Sequence, residues 1–127
     1  MKYLTHYIED ANSAAFRKHG AFFCFDDKDF KERKEEGKVY VNLRHGLLCP
    51  KESAAELMMD LSKNYKEGVK KDLEENGKEA IIRRELSNHE AYYSWDYDKV
   101  AEGLKDYGIT LDEVKRIFFI ELPKQEL

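Results

Sequence analysis

Between Pro50 and the pair Asn76-Gly77 the chain carries an apolar stripe with helical phase. Ala54, Leu57, Met58, Leu61, Tyr65, Val69 and Leu73 recur at steps of three and four, which lines them along one face of a helix over 51–75. Pro50 ends whatever strand precedes it, because it has no N–H for a ladder. Asn76-Gly77 is a firm break at the other end. Gly68, inside the run, weakens the helix by about 1 kcal/mol relative to alanine. A long helix with one apolar face has to lie on another layer.

Short apolar runs upstream supply that layer. Residues 21–25 (AFFCF) are dense in aromatics and read as a buried strand. Residues 38–43 alternate, with Val39, Val41 and Leu43 on one face and Tyr40 and Asn42 on the other. Arg44-His45-Gly46 is a turn, and 47–49 return as the second arm of a hairpin.

The remaining segments read as helices. Tyr3, Leu4, Tyr7, Ile8, Ala11, Ala14 and Ala15 mark a helix over 2–18, stopped by Gly20. Asp26 or Asp27 caps a short charged helix over 27–36, closed by Gly37. A helix over 78–93 places Ile82, Leu86, His89 and Tyr93 on one face. Residues 94–98 form an aromatic connector, Val100 and Leu104 carry the next helix, and Gly108 ends it. Thr110 and Glu113 have the spacing of a capping box and open a last helix with Val114, Ile117 and Phe118 facing in. Strands in one block followed by helices in another predict an α+β fold. The expected architecture is a small antiparallel sheet of about three strands, covered on one face by the 51–75 and 78–93 helices. The length suits a single domain over 1–127.

Charge narrows the function classes. Lys and Arg number 22 against 26 Asp and Glu, a net charge of −4. A generic nucleic-acid binder needs an excess of cations to displace counterions from phosphates. The same small charge argues against mimicry of nucleic acid by an acidic surface. Aromatic residues make up 13% of the chain, enough burial to argue for a folded domain rather than a disordered one. No apolar run approaches the roughly 18 residues that span a bilayer. The N-terminal stretch has acids where a signal peptide is apolar, so a cytoplasmic protein with no membrane partner is expected. Cys24 and Cys49 both sit in apolar stretches and are expected as reduced, buried thiols.

The most unusual polar group lies over 83–93. On a continuous helix Glu85 and His89 share a face with Ile82 and Leu86, which turns the His89 ring inward. Asn88 lies one step around, and Glu90 sits on the opposite side near Arg83. Two readings follow. Glu85 and His89 can pair with one another and with a tyrosine hydroxyl or a strand backbone, fixing the helix against the sheet. Alternatively, His89 acts as an acid/base or ligand group in a concave site, tuned by Glu85 or Glu90. Two ligands at helical spacing fall short of the three a catalytic zinc needs, so no metal and no cofactor are expected. Phosphate-binding loops, dinucleotide fingerprints, HExxH and GxSxG are absent from the sequence. Tyr92, Tyr93, Trp95 and Tyr97 follow at once, and such residues suit a core margin or a binding surface. The nearby charges are Asp96 and Asp98, which argues against base stacking on a single strand.

Four segments together carry a resemblance: HGAFFCFDDKDFKERKEEG, GLLCPKE, ENGKEAIIRRELSNHEAYYSWD and LKDYGITLDEVK. They resemble a family of small uncharacterised proteins of bacteriophages, prophages and related mobile elements, from about Phe16 to Phe118. The shared core is Asn76-Gly77, Glu85-Leu86, Asn88-His89-Glu90 and Tyr92-Tyr93. Ser94-Trp95-Asp96 departs from the Thr-Gly-Asp form of the relatives, so the resemblance gives Trp95 no family-wide role. It implies context only: an accessory protein in the cytoplasm of a bacterial host. Two functions are therefore carried forward. One is a non-catalytic protein that binds a host or phage macromolecule, with an anti-defence role as one form of it. The other is a small enzyme, or a small-ligand or nucleotide binder, built on Glu85, Asn88 and His89. The candidate binding residues are Glu85, Asn88, His89, Glu90, Tyr92, Tyr93 and Trp95. The oligomeric state is not legible in the sequence.

Overall fold

The computed structural model describes residues 1–126. Helix α1 (Leu4–His19) leads into β1 (Phe22–Phe23), α2 (Asp27–Arg33) and the hairpin strands β2 (Tyr40–Arg44) and β3 (Leu47–Pro50). A 3₁₀ turn at Lys51–Ser53 opens α3 (Ala54–Asn76), and α4 (Lys78–Asn88), α5 (Ala91–Ser94), α6 (Tyr97–Gly103) and α7 (Leu111–Glu121) follow. The class is α+β, as the order of elements predicts. The chain divides into two compact units, Met1–Gly68 and Val69–Leu127, with the boundary inside α3. Among the described residues no helix is long and apolar enough to cross a membrane.

In the first unit β3 is the central strand of a three-stranded antiparallel sheet, ordered β1-β3-β2. Val41 pairs with Cys49, and both Asn42 and Phe22 pair with Leu48. The alternation read from the sequence therefore separates two faces. One face carries Leu47 and Cys49 into a core with Ala15 of α1 and Leu57 and Leu61 of α3. The other carries Phe22 and Tyr40, whose ring centroids lie 5.7 Å apart, and Phe30 of α2 closes edge-on to Tyr40 at 5.6 Å. The sheet is thus covered on both faces, by α1 and α3 on one and by α2 on the other. The helix expected over 78–93 has a different role, since α4 packs on α6 and α7 inside the second unit. The Asn76-Gly77 break delivers it to the residues that follow. Both cysteines are buried free thiols, as expected.

The hairpin turn places two successive residues at positive φ, His45 at 44° and Gly46 at 84°, the twist that matches right-handed strands. Gly46 is required twice over. A Cβ there would stand 2.7 Å from the Cys24 carbonyl oxygen and 3.1 Å from the Phe25 ring.

Helix α1 lies on α3 through a face that differs from the alanine stripe. The inward positions are Ile8, Asn12, Ala15 and His19, while Ala11 and Ala14 are exposed. Each inward polar group has a partner on α3. His19 Nε2 is 2.7 Å from Asp60 Oδ2, and Asn64 Nδ2 donates to Asn12 Oδ1 at 3.1 Å. The hydrogen bond from His19, then that from Lys18, holds the Asp60 carboxyl below its ordinary range. One turn further, Gly68 faces Ile8, and a Cβ on Gly68 would sit 2.2 Å from Ile8 Cγ2. The glycine that weakens α3 in isolation is what lets the two helices meet. Met58, one step around from Leu57, faces outward instead of joining the stripe.

An expected result follows. Gly68→Ala gains about 1 kcal/mol of helix propensity but forces a stiff β-branched side chain aside. We expect a net loss of about 1–2 kcal/mol in urea denaturation, with recovery when Ile8→Ala is added. A Gly68→Ala protein more stable than the parent would contradict this contact.

In the second unit the buried apolar residues include Ile81, Ile82 and Leu86 of α4, Val100 of α6, Leu104, and Val114, Ile117 and Phe118 of α7. The expected capping box is present. Glu113 N–H donates to Thr110 Oγ1 at 3.2 Å, and Thr110 N–H donates to Glu113 Oε1 at 3.4 Å.

Candidate functional site

Two constellations stand out in the second unit, one buried and polar, the other exposed and aromatic. The buried one begins at Asp72, in phase with Val69 on the apolar side of α3 and fully buried. The break at Asn76-Gly77 lets α4 run back so that Arg84 reaches it. Arg84 donates from Nη1 to Asp72 Oδ1 and from Nη2 to Oδ2, both at 2.9 Å, a bidentate fork of the strongest kind. Asn76 Nδ2 donates to Oδ1 at 2.8 Å, and the Tyr107 hydroxyl donates to Oδ2 at 2.6 Å. Arg84 Nε donates to Glu85 Oε1 at 2.8 Å.

Burial alone would raise the Asp72 carboxyl. The bonds from Arg84, Tyr107 and Asn76, with the guanidinium charge, outweigh it and hold the carboxyl below its ordinary value. Burial works to lower Arg84, but the bonds to Asp72 and Glu85 raise it well above its usual range. Burial, then the bond to Asp72, pushes the Tyr107 phenol far up. At neutral pH the cluster is a fixed carboxylate, a fixed guanidinium and a protonated phenol. None of the three is poised to exchange a proton. No buried side-chain N or O atom among the described residues lacks a hydrogen-bond partner. The arrangement binds the helices to one another and offers no free valence to a substrate.

The residues singled out from the sequence divide between the two constellations. Glu85 belongs to the buried cluster through Arg84. His89 does not turn inward, and its side chain is 53% exposed, with Nε2 3.5 Å from Glu85 Oε2. The inward reading assumed a helix running to residue 93. The helix stops at Asn88, His89 is its cap, and Glu90 adopts the left-handed conformation at φ 52°. Phase inherited from Leu86 has no meaning beyond that point. Asn88 and Glu90 are exposed beside it. Glu85 and His89 are thus joined as a pair, and Asn88, His89 and Glu90 lie exposed at the end of α4.

The tyrosines and tryptophan form the second constellation. Trp95 is left-handed at φ 63° and closes the short α5 whose entry is Glu90. Two such residues cost on the order of 1–2 kcal/mol each. Between them Ala91 is fully buried, and Tyr92 stacks on Phe118 with centroids 5.6 Å apart. That packing offsets the strain and sets the direction of Trp95. Trp95 lies edge-on to Phe118 at 5.3 Å and to Phe119 at 5.9 Å, and Tyr97 reaches Phe119 at 6.0 Å. Phe118 is buried beneath them, whereas Trp95 is 53% and Phe119 49% exposed. Tyr93 stands 92% exposed, with no core role. Asp72, Arg84, Tyr107 and Phe119 escaped the sequence reading. The signal for Asp72 was its phase, seven residues after Tyr65 and three after Val69, on a face otherwise apolar.

The family model of DUF7659, a family of unknown function, matches residues 4–118. The chain belongs to this family. The match covers the buried cluster and the aromatic one up to Phe118, ends one residue before Phe119, and agrees with the resemblance to an uncharacterised family. No curated protein and no solved structure matches the chain.

Proposed function

We propose that this DUF7659 protein is a phage-type accessory protein of the bacterial cytoplasm. It acts by binding a host or phage protein, and it has no reaction of its own. The observation that supports this reading is the pair Trp95 and Phe119, half exposed and set together on a buried Phe118 floor. Exposed aromatics anchored on a rigid base supply contact area at low entropic cost, and such residues dominate binding energy at protein interfaces. Tyr97 and Tyr93 extend the same kind of surface. Asp96 and Asp98 beside it favour a protein partner over a phosphate backbone. The phage-like sequence context makes a component of host defence the partner class to look for.

The test uses quantitative capture from the host extract by the wild-type protein and by folded variants. A Trp95→Ala/Phe119→Ala protein should lose its partner by at least about tenfold, as expected for hot-spot residues, while His89→Ala should retain it. A folded double variant with undiminished capture would contradict the reading, as would loss of capture in His89→Ala.

A further inference from the structure

The first unit carries a pocket of about 380 Å³ on the sheet face that α2 covers. Its volume falls within the range of small-ligand sites. Phe30 and Tyr40 form a right-angled corner, with centroids 5.6 Å apart and planes at 89°. Phe25 stands at the rim, 81% exposed, and packs on Gly46. Leu48 also lines the pocket.

The polar lining is acidic. Asp26 and Asp27 both contribute, and no Lys or Arg does. Asp26 Oδ1 is engaged, accepting the Asp29 N–H at 2.7 Å as the cap of α2. The Cys24 thiol is engaged too, donating to the Asp26 carbonyl at 3.1 Å. Asp27 and Asn42 keep unused acceptors at the pocket surface. Aromatic faces carry negative potential and attract cations. Cations already sit against rings on this face, with the Arg33 guanidinium 4.4 Å above Phe22 and the Lys34 ammonium 5.8 Å from Phe30 of the corner itself. An aromatic corner with a free carboxylate and a free amide oxygen suits a ligand that combines an apolar body with positive charge.

We propose that this pocket binds an organic cation, an alkylammonium or guanidinium group, borne by a free small molecule or by the end of a peptide side chain. It is independent of the aromatic surface of the second unit, and either can hold without the other.

The test is a ¹H–¹⁵N titration of the full-length protein with four probes. Choline represents the free cation, N-acetyl-arginine amide and N-acetyl-trimethyllysine amide the peptide-borne one, and 3,3-dimethylbutanol the neutral shape of choline. Saturable shifts at Phe25, Asp27 and Asn42 are expected with the cations, and binding at least about fivefold weaker with the alcohol. Asp27→Asn and Phe25→Ala, both at exposed positions, should each weaken cation binding severalfold while the remaining spectrum is preserved. Tighter binding of either amide than of choline supports a side-chain ligand, and the reverse order supports a small molecule. The proposal is overturned by an equal response to the neutral alcohol, by no saturable shift with any cation, or by unchanged affinity in both variants.

Discussion

Replacing Asp72 by alanine should cost the protein about 3–5 kcal/mol, the range found when one partner of a buried ion pair is removed. The loss is large because four donors converge on one carboxylate, two from Arg84 and one each from Tyr107 and Asn76. Alanine leaves the guanidinium buried without the carboxylate that takes both arms of its fork. The single tryptophan of the chain, Trp95, lies in the same unit, so its emission during urea denaturation reports the event directly. A loss under about 1 kcal/mol, the value of an exposed pair, would contradict the structure. The cluster also sets a pH dependence. The folded Asp72 carboxyl lies below its ordinary 3.8, so the unfolded chain binds the proton more tightly. The stabilisation is whole above the unfolded value and fades as pH falls from about 5 through the folded value. Tyr107 acts at the other end. Its folded phenol lies above the ordinary 10.0, so its contribution is whole below that value and is lost as pH rises past it. Asp72→Asn should flatten the acid limb.

Phe118→Ala is the second large effect. The ring is fully buried and touches four others, with centroids at 5.6 Å to Tyr92, 5.3 Å to Trp95, 5.0 Å to Tyr97 and 5.1 Å to Phe119. Its removal opens a cavity and should cost about 3–5 kcal/mol. The packing that offsets the left-handed residues at 90 and 95 goes with it, so Trp95 emission should shift to the red before global unfolding. Phe119→Ala, on the wet side of the same helix turn, should cost under about 1 kcal/mol. Thermal denaturation of the two variants checks the contrast, and equal losses would mean that Phe119 belongs to the core.

What could be read in advance was local. The Thr110–Glu113 box joins residues three apart, and the hairpin follows from alternation and one glycine, so both are visible in a short window. Helix ends without glycine or proline were not visible. Asn88-His89-Glu90 carries no breaker, and the turn there goes with the burial of Ala91 and the stacking of Tyr92 on Phe118, a contact between residues far apart in the chain. That gap misplaced His89. Asp72 and Arg84 hid for a different reason. In KKDLEE and IIRRE each is one charge among many, and charge runs ordinarily face water. Their pairing spans a chain reversal, and the Tyr107 hydroxyl comes from 35 residues away. Likewise the alanines of α1 promised a smooth apolar face, while the helix turns Asn12 and His19 inward, because α3 offers Asn64 and Asp60 opposite them.

A double-mutant cycle on Asp72 and Arg84 decides whether the buried cluster is architecture. Asp72→Leu and Arg84→Met, singly and together, are measured by urea denaturation. The structure predicts that each single change is strongly destabilising. The pair together should lose less than the sum by about 1–3 kcal/mol, because the second change removes the charge orphaned by the first. Additive losses, or single variants as stable as the parent, would show that the two side chains do not hold the second unit together.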